Sequence, residues 1–550
     1  MITVSIDGRS AAFPPGVILK QAVDQLAEHP AQVLGCMTGG VVYELNDTIN
    51  RSTEFRTLTY ADDEGRRIYE RSLRFVMLMS AKKVWPDHRV RIEHSLGSGL
   101  YVTVTGHTVT ADELRQLDRE MHHITRADLP ITIERWSRSQ AVRYYQSIGQ
   151  EDTVKLLRFR PYQHLYMYTC GDRSEYFYGK MLPSTGYTRV CGLKLIKPGF
   201  VLQMPRHSVQ IESIAPAAKL PKHLATFKES NEWCRILNCT QVTDLNQMIL
   251  SNQLRTFIRV NEALQDKSIA HMAEQISRRH SRAIFIAGPS SSGKTTFANR
   301  LAIHLRVLGL KPLLISLDDF YRPRSEIPLQ ANGEYDFEHL DAINVPQFHQ
   351  CVQALLNGET VSLPRYSFKQ DASAAFYPPV RMTENQVLII EGIHALNPAV
   401  NGCLDQNVIA KIYISELTCL NMDDHNRIRT TDARLLRRIV RDYQFRGTHP
   451  DETLSMWPNV RAGEDKWIFP FQEQADFVFN SVLHYELPVL RNIAYDLLNM
   501  IEPENPNYLL SRRLLKILHY LVPAPKKMLD EIPPLSILRE FIGGCTFYAK

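Results

Sequence analysis

The chain is predicted to be a multidomain protein that joins α+β modules at its front to an α/β domain with a parallel sheet, followed by a helical extension. Three observations predict it. A length of 550 residues, at about 100 to 200 per domain, exceeds a single module. The first stretch carries short strands of period-2 apolar alternation around one helical run. From residue 281 onward apolar strands alternate with amphipathic helices, beginning with the strand, glycine-bounded loop and helix of AIFIAGPSSSGKTTFANRLAIHL.

Composition narrows the function classes. With 44% hydrophobic and 22% charged residues the chain is neither a disordered polymer nor a disulfide-stapled miniprotein. The balance of 64 basic against 59 acidic residues leaves +5, too little to argue for nucleic-acid binding. Nine cysteines are scattered without a CxxC pair, which predicts free thiols and a reducing compartment. MITVSIDGRSAAF has no charged head before an apolar core, and no run reaches the ~18 apolar residues of a membrane span. A cytoplasmic protein without membrane contact is expected.

Residues 1–60 open with a strand pair turning at Asp7-Gly8, followed by a helix over 17–26. Together with AQVLGCMTGGVVYELN, this outline resembles the TGS domain, a ubiquitin-like β-grasp at the front of threonyl-tRNA synthetases.

Residues 61–205 predict a helix over 66–81, the strands of VRIEHSLGSGLYV, a helix over 111–124 and the strand ITIERW. This order is similar to the second additional domain of threonyl-tRNA synthetases, where paired histidines and a Cys-x-x-x-His segment form an editing site. His94 matches the first histidine, but Ser98 stands four residues later, and FYGKMLPSTG holds neither the cysteine nor the histidine. One ligand of four cannot hold a metal, so editing chemistry is expected to be lost. His122 and His123, neighbours on a helix, diverge too far to share a metal and are expected at a surface or interface. Residues 206–280 read as a helical connector, with apolar side chains at three- and four-residue intervals.

The chemistry concentrates at 281–480. GPSSSGKT fits G-x-x-x-x-G-K-[ST] in the strand-loop-helix context that the motif requires. Gly288 and Gly293 permit the turn that points the N–H groups of Ser290, Ser291 and Ser292 inward, and Lys294 offers a compact charge to the phosphates. The Thr295 hydroxyl is suited to Mg²⁺, with Thr296 beside it in the first helical turn. Two further strands end in acids: KPLLISLDDF delivers Asp318 and Asp319, and NQVLIIEGIHAL delivers Glu391, at the strand ends where parallel sheets bind ligands. A carboxylate there can accept a hydroxyl proton or hold Mg²⁺. Arg434, Arg437, Arg438 and Arg441 fall at i, i+3, i+4 and i+7 on one helix, with Arg446 beyond. Like charges on one stripe call for an anion across them, and a mobile arginine helix closing over ATP is the expectation.

GPSSSGKTT, LDDFYRPR, YDFEHLDA, LPRYSF, IIEGIHAL and RLLRRIVRD recur in the order found in uridine kinases, phosphoribulokinase and pantothenate kinase. With SILREFIGG near the end, the whole chain resembles bacterial uridine kinase-like nucleoside kinases. The resemblance implies ATP and Mg²⁺ as cofactors, Asp318 as base, Lys294 and Thr295 on the nucleotide and metal, Glu391 near the metal, and Arg441 and Arg446 as lid arginines. On the acceptor side it assigns Glu338, Tyr366 and Arg438 to substrate. Departures fall there too: Glu338 replaces an aspartate, Asp371 a histidine, Thr448 an arginine and Met456 a glutamine. Hydrogen-bonding pockets discriminate sharply, so uridine itself is in question.

Trp457 and Trp467 are expected in the core, or as a wall of the acceptor pocket. Residues 481–550 read as helices interrupted by Pro523, Pro525, Pro533 and Pro534, with a packing or oligomer role. The expectation is phosphoryl transfer to a hydroxyl of a nucleoside-like small molecule. Two alternatives stand beside it: a kinase of a non-nucleoside acceptor, and a translation-linked RNA- or ribosome-binding protein that uses the loop as a nucleotide switch. Basic residues of the front half do not cluster, which ranks RNA below a small-molecule partner.

Overall fold

The computed structural model describes residues 1–206, 214, 220–330, 333–367 and 372–547. At the front, a mixed sheet runs in the order Arg9–Phe13, Ile2–Ile6, Thr53–Leu58, Gly35–Thr38, Val41–Tyr43. Its central pair, Ile2–Ile6 with Thr53–Leu58, is parallel. The helix Leu19–Leu26 covers it because Leu19, Ala22, Val23 and Leu26 fall on one face and all four are buried.

The next unit pairs two helices, Asp63–Val84 and Ala111–Ala127, with an antiparallel sheet ordered Gly192–Ile196, Gly199–Gln203, Gly99–Val104, Val90–Leu96. The second helix starts on a capping box, in which the Thr110 side chain accepts from the Glu113 N–H and Glu113 answers at the Thr110 N–H. Both helices run past their predicted ends by a turn or less. The connector is helical over Pro221–Ile236, Val242–Leu250 and Leu254–Arg278.

Behind it lies a five-stranded, wholly parallel sheet in the order Lys311–Ser316, Gln386–Glu391, Ala283–Ala287, Ile409–Ser415, Phe477–Asn480. Its strands are apolar through most of their length because both faces are covered. Ile284, Ile286, Val387, Ile389, Ala410 and Ile412 point into one core, with Phe297 and Leu301 of the following helix. Ala283, Phe285, Leu388, Ile390 and Tyr413 point into the other, with Phe320 and Phe348.

Two features of organisation tie the chain together. The segment after residue 480 is no appendage: the helices Glu486–Asn499 and Arg539–Ile542 both pack on the arginine-bearing helix Thr430–Arg441. The front and rear halves are also interlocked. The segment joining the strand Ile409–Ser415 to that helix enters the second unit, where the Ile92 N–H donates to Asp424 O (2.9 Å), Asn421 donates to Ile92 O (2.8 Å) and His425 Nδ1 meets Glu175 (2.9 Å). All nine cysteines are free, as their spacing predicts. Among the described residues no helix is long and apolar enough to cross a membrane.

Candidate active site

Three strand ends converge at one edge of the parallel sheet. Ala283–Ala287 runs into the phosphate-type loop, and register places Glu391 beside both Ile286 and Ser316. Gly288 has a steric reason to be glycine, since a Cβ there would lie 2.1 Å from Ile414 O. Gly293 adopts φ +85° and Ser291 φ +60°, left-handed steps before the helix Lys294–Val307, but two of the three serine N–H groups expected to point inward are taken by the protein: that of Ser290 donates to Glu464 (3.1 Å) and that of Ser292 to Pro289 O (3.2 Å).

Lys294 folds back onto its own loop and donates to Gly288 O (3.0 Å) and Pro289 O (3.3 Å). Burial lowers its pKa, with Arg441 adding to the effect, against the charges of Glu391, Asp318 and Glu540. Glu391 Oε1 accepts from Ser316 (3.0 Å) and from Thr295 (3.4 Å). Burial pushes its carboxyl up to about 7, with Asp318 adding to the rise and Lys294 and the Ser316 hydroxyl opposing it. Asp318 sits on the short turn Leu317–Phe320, whose start Ser316 fixes by accepting from the Asp318 N–H (3.3 Å). Solvent reaches Asp318 in the cleft, yet the surrounding walls raise its pKa against Lys294, Arg446 and Arg441.

The loop thus stands with hydroxyl and carboxylate oxygens at its mouth and a cation beside them. Thr295 and Glu391 are hard oxygen ligands of the kind Mg²⁺ accepts together with phosphate oxygens and waters, so the residues fit that ion. No group of three or more His, Cys, Asp or Glu side chains placed to hold a metal occurs among the described residues.

The arginine stripe departs from expectation. Arg434 and Arg437 are 1% and 0% exposed, and protein carboxylates lie across them. Arg434 pairs with Glu464 and also donates to Ser290 O (3.0 Å). Arg437 pairs with Glu486 and donates to Ser291 O (3.3 Å). These two are therefore struts that grip the loop from behind, since a buried guanidinium requires a carboxylate and hydrogen bonds on its remaining donors. Arg438 donates to Ser290 Oγ (2.7 Å) and pairs with Asp442 (3.1 Å). Arg441 and Arg446 share Asp442 at 2.9 and 3.4 Å, and the Arg446 side chain is 56% exposed on the turn Asp442–Arg446. Arg441 and Arg446, at this distal end, are the arginines whose charges act on Asp318, and Arg438 acts on Glu338.

On the acceptor side, burial pushes Glu338 up to about 7, with Glu464 and Asp318 adding and Arg438 and Lys294 opposing. Its Cβ abuts Gly463, where an added Cβ would lie 2.5 Å away. Tyr366 is buried, 5.6 Å from the Tyr321 ring, and its N–H donates to Asp319 (3.4 Å). Trp467 meets His339 edge-on at 4.8 Å and His394 at 6.2 Å, whereas Trp457 is buried under Arg434. Thr448 donates its N–H to Asp442 O (3.1 Å), Met456 is 39% exposed, and Asp371 lies outside the described residues.

Sequence reasoning missed Ser316, Glu464, Glu486, Ile537 and Glu540. Ser316 had a signal, as the residue ending the strand before the paired aspartates; the glutamates had none, being partners distant in the chain.

In the second unit His94 is buried and stacks on Phe227 of the connector, ring centres 3.7 Å apart and planes within 6°. Burial pushes its pKa down to about 3, with Arg427 and His223 adding. Ser98 is exposed in the hairpin turn, so the two do not converge. His123 is exposed and His122 half-buried, its Nδ1 meeting Asp118 O (2.9 Å).

Residues 283–487 match the family model described as phosphoribulokinase / uridine kinase family, which marks this segment as a P-loop kinase domain. Uridine kinase-like protein 5 of Arabidopsis thaliana is 29% identical over 231 residues, 42% of this chain and 44% of that protein. The uridine kinase of Halobacterium salinarum is 29% identical over 198 residues, 36% of this chain and 78% of that protein. The N-terminal part is similar to threonine–tRNA ligases; that of Syntrophomonas wolfei is 26% identical over 190 residues, 34% of this chain and 30% of that protein. The chain thus spans less than half the length of the synthetase and of the Arabidopsis relative.

Proposed function

We propose that the chain is an ATP- and Mg²⁺-dependent kinase that phosphorylates a hydroxyl of a nucleoside-like small molecule. The observation that carries the reading is the convergence of Lys294, Asp318 and Glu391 at one sheet edge, where the two carboxyls act on Lys294, Lys294 acts on both, and Asp318 acts on Glu391. The loop Gly288–Gly293, with Thr295 and Thr296, cradles the nucleotide phosphates, Ser290 fixing the loop's shape because Glu464, Arg434 and Arg438 take its N–H, carbonyl and hydroxyl, and Lys294 swings from its loop carbonyls to the β- and γ-oxygens. Thr295 and Glu391 would hold Mg²⁺, which would supply positive charge against the phosphate oxygens.

Asp318 accepts the acceptor's hydroxyl proton. The oxygen so freed forms its bond to the γ-phosphorus as the bond to the β-bridging oxygen breaks, releasing ADP. A raised carboxyl pKa suits a base that must hold a proton near neutrality. Arg441 and Arg446, the cleft-facing end of the arginine helix, lie where they can offset charge on the transferring group. Glu338, Tyr366 and Arg438 bound the acceptor. Glu338 carries one methylene more than the expected aspartate, and its wall includes Trp467 and the two imidazoles, which supports an acceptor other than uridine. The front units serve as TGS-like and editing-like scaffolds, the latter without editing chemistry because Phe227 occupies the face of His94. Cytoplasmic location and self-association belong to the same proposal.

The test is a screen of nucleosides, pentoses and pantothenate for ATP-dependent phosphorylation, with Asp318→Ala as control. Turnover lost in the variant supports the reading; no turnover on any acceptor, or turnover unchanged in the variant, contradicts it.

A further inference from the structure

The segment Ser536–Gly543 ends in the phosphate-binding turn. A Cβ on Gly293 would lie 2.5 Å from Ile537 Cγ2, so the segment rests directly on the loop glycine. Glu540, on the short helix Arg539–Ile542, accepts a hydrogen bond from Thr296 Oγ1 at 2.8 Å, across 244 residues of chain. Phe541 lies under the Arg437 guanidinium at 5.1 Å, and Phe445 of the turn Asp442–Arg446 packs 3.2 Å from where a Gly543 Cβ would stand. One segment therefore touches the loop, the arginine helix and the turn bearing Arg446. Arg539 ties it down by donating to Leu529 O (2.6 Å) and Ile532 O (2.8 Å), and Ser536 donates to Glu262 (2.5 Å).

A carboxylate in that place calls for an explanation. The first turn of the helix Lys294–Val307 carries the positive end of a helix dipole, a setting that attracts an anion. The charge of Glu540 is felt at Lys294 and at Glu391. A nucleotide triphosphate arriving at the same turn brings further negative charge next to it.

We propose that Ser536–Gly543 is a built-in competitor of the donor nucleotide, with the Glu540 carboxylate seated at the phosphate cradle in place of a phosphate oxygen. The inference rests on the reading of Gly288–Thr296 as a nucleotide site. Seating of the segment and binding of ATP then oppose each other, and by linkage each weakens the other by the same factor.

The experiment measures Mg·ATP binding by calorimetry for the full chain, Glu540→Gln and Lys294→Ala, and follows hydrogen exchange of residues 536–543 in the wild-type protein with and without Mg·ATP. Expected are an affinity about tenfold higher in Glu540→Gln, in the usual range of site coupling, and faster exchange of the segment when ATP is bound. Equal or weaker binding by Glu540→Gln, or a segment equally or better protected in the presence of ATP, overturns the inference. If the wild type binds ATP through Lys294 and Glu540→Gln binds no better, the competitor fails while the nucleotide site stands. If neither the wild type nor Glu540→Gln binds ATP, both fall.

Discussion

Arg434 and Glu464 hold the Ser290 peptide from both ends: Arg434 Nε donates to its carbonyl at 3.0 Å, Glu464 accepts from its N–H at 3.1 Å, and the two side chains pair with each other. Both are buried, at 1% and 0% exposure, so neither charge has water to fall back on. Glu464→Ala is expected to cost about 3–5 kcal/mol, the usual loss when one partner of a buried pair is removed. Urea denaturation checks this, and a loss below about 1 kcal/mol, the range of exposed pairs, contradicts it. The double variant Arg434→Leu/Glu464→Leu recovers most of the stability, because no charge is then stranded, yet binds ATP more weakly because Ser290 loses both anchors.

Glu391 makes the ligand-free protein sensitive to pH. Its carboxyl is raised from 4.5 to about 7, so between those values the folded chain binds the proton that the unfolded chain has lost. This contribution is whole below about 4.5 and fades as pH rises through about 7. Glu391→Gln removes the cost of the buried charge. At pH 8 the variant should exceed the wild type by on the order of 2 kcal/mol, and the gap should close as pH falls to 5. Thermal melts across that range read it, and a gap independent of pH contradicts it.

Phe227 covers the His94 ring. Phe227→Ala opens a cavity beside a buried imidazole and is expected to cost about 3–5 kcal/mol. With the stacked ring gone, His94 should titrate closer to 6.5 than to its present value of about 3. Proton NMR of the histidine resonances follows that change, and a His94 that stays neutral down to pH 5 in the variant contradicts it.

The sheet-edge chemistry was legible in sequence because it is local. Glu391 ends its strand, Asp318 follows its strand by two residues, and the loop motif is contiguous, so Lys294, Asp318 and Glu391 could be placed on one edge by strand direction alone. The arginine stripe was misread for the opposite reason. Its i, i+3, i+4, i+7 spacing is visible, but Glu464 and Glu486, which turn two of its members into struts, lie 30 and 49 residues away with no spacing signal. SILREFIGG stands out as a motif, but nothing local in it shows that Ile537 and Glu540 return to a loop more than 240 residues earlier. Pairing over such distances is set by tertiary packing.

Central to the account is Asp318 as the group that takes the acceptor's proton. The direct measurement is transfer of labelled γ-phosphate from ATP to an acceptor found by screening, in the wild type and in Asp318→Asn, with Mg·ATP affinity measured in both. The account predicts a fall in turnover of about 100- to 10,000-fold, the usual worth of a positioned base, with ATP affinity retained. Turnover within a few-fold of the wild type, at equal ATP affinity, would contradict it.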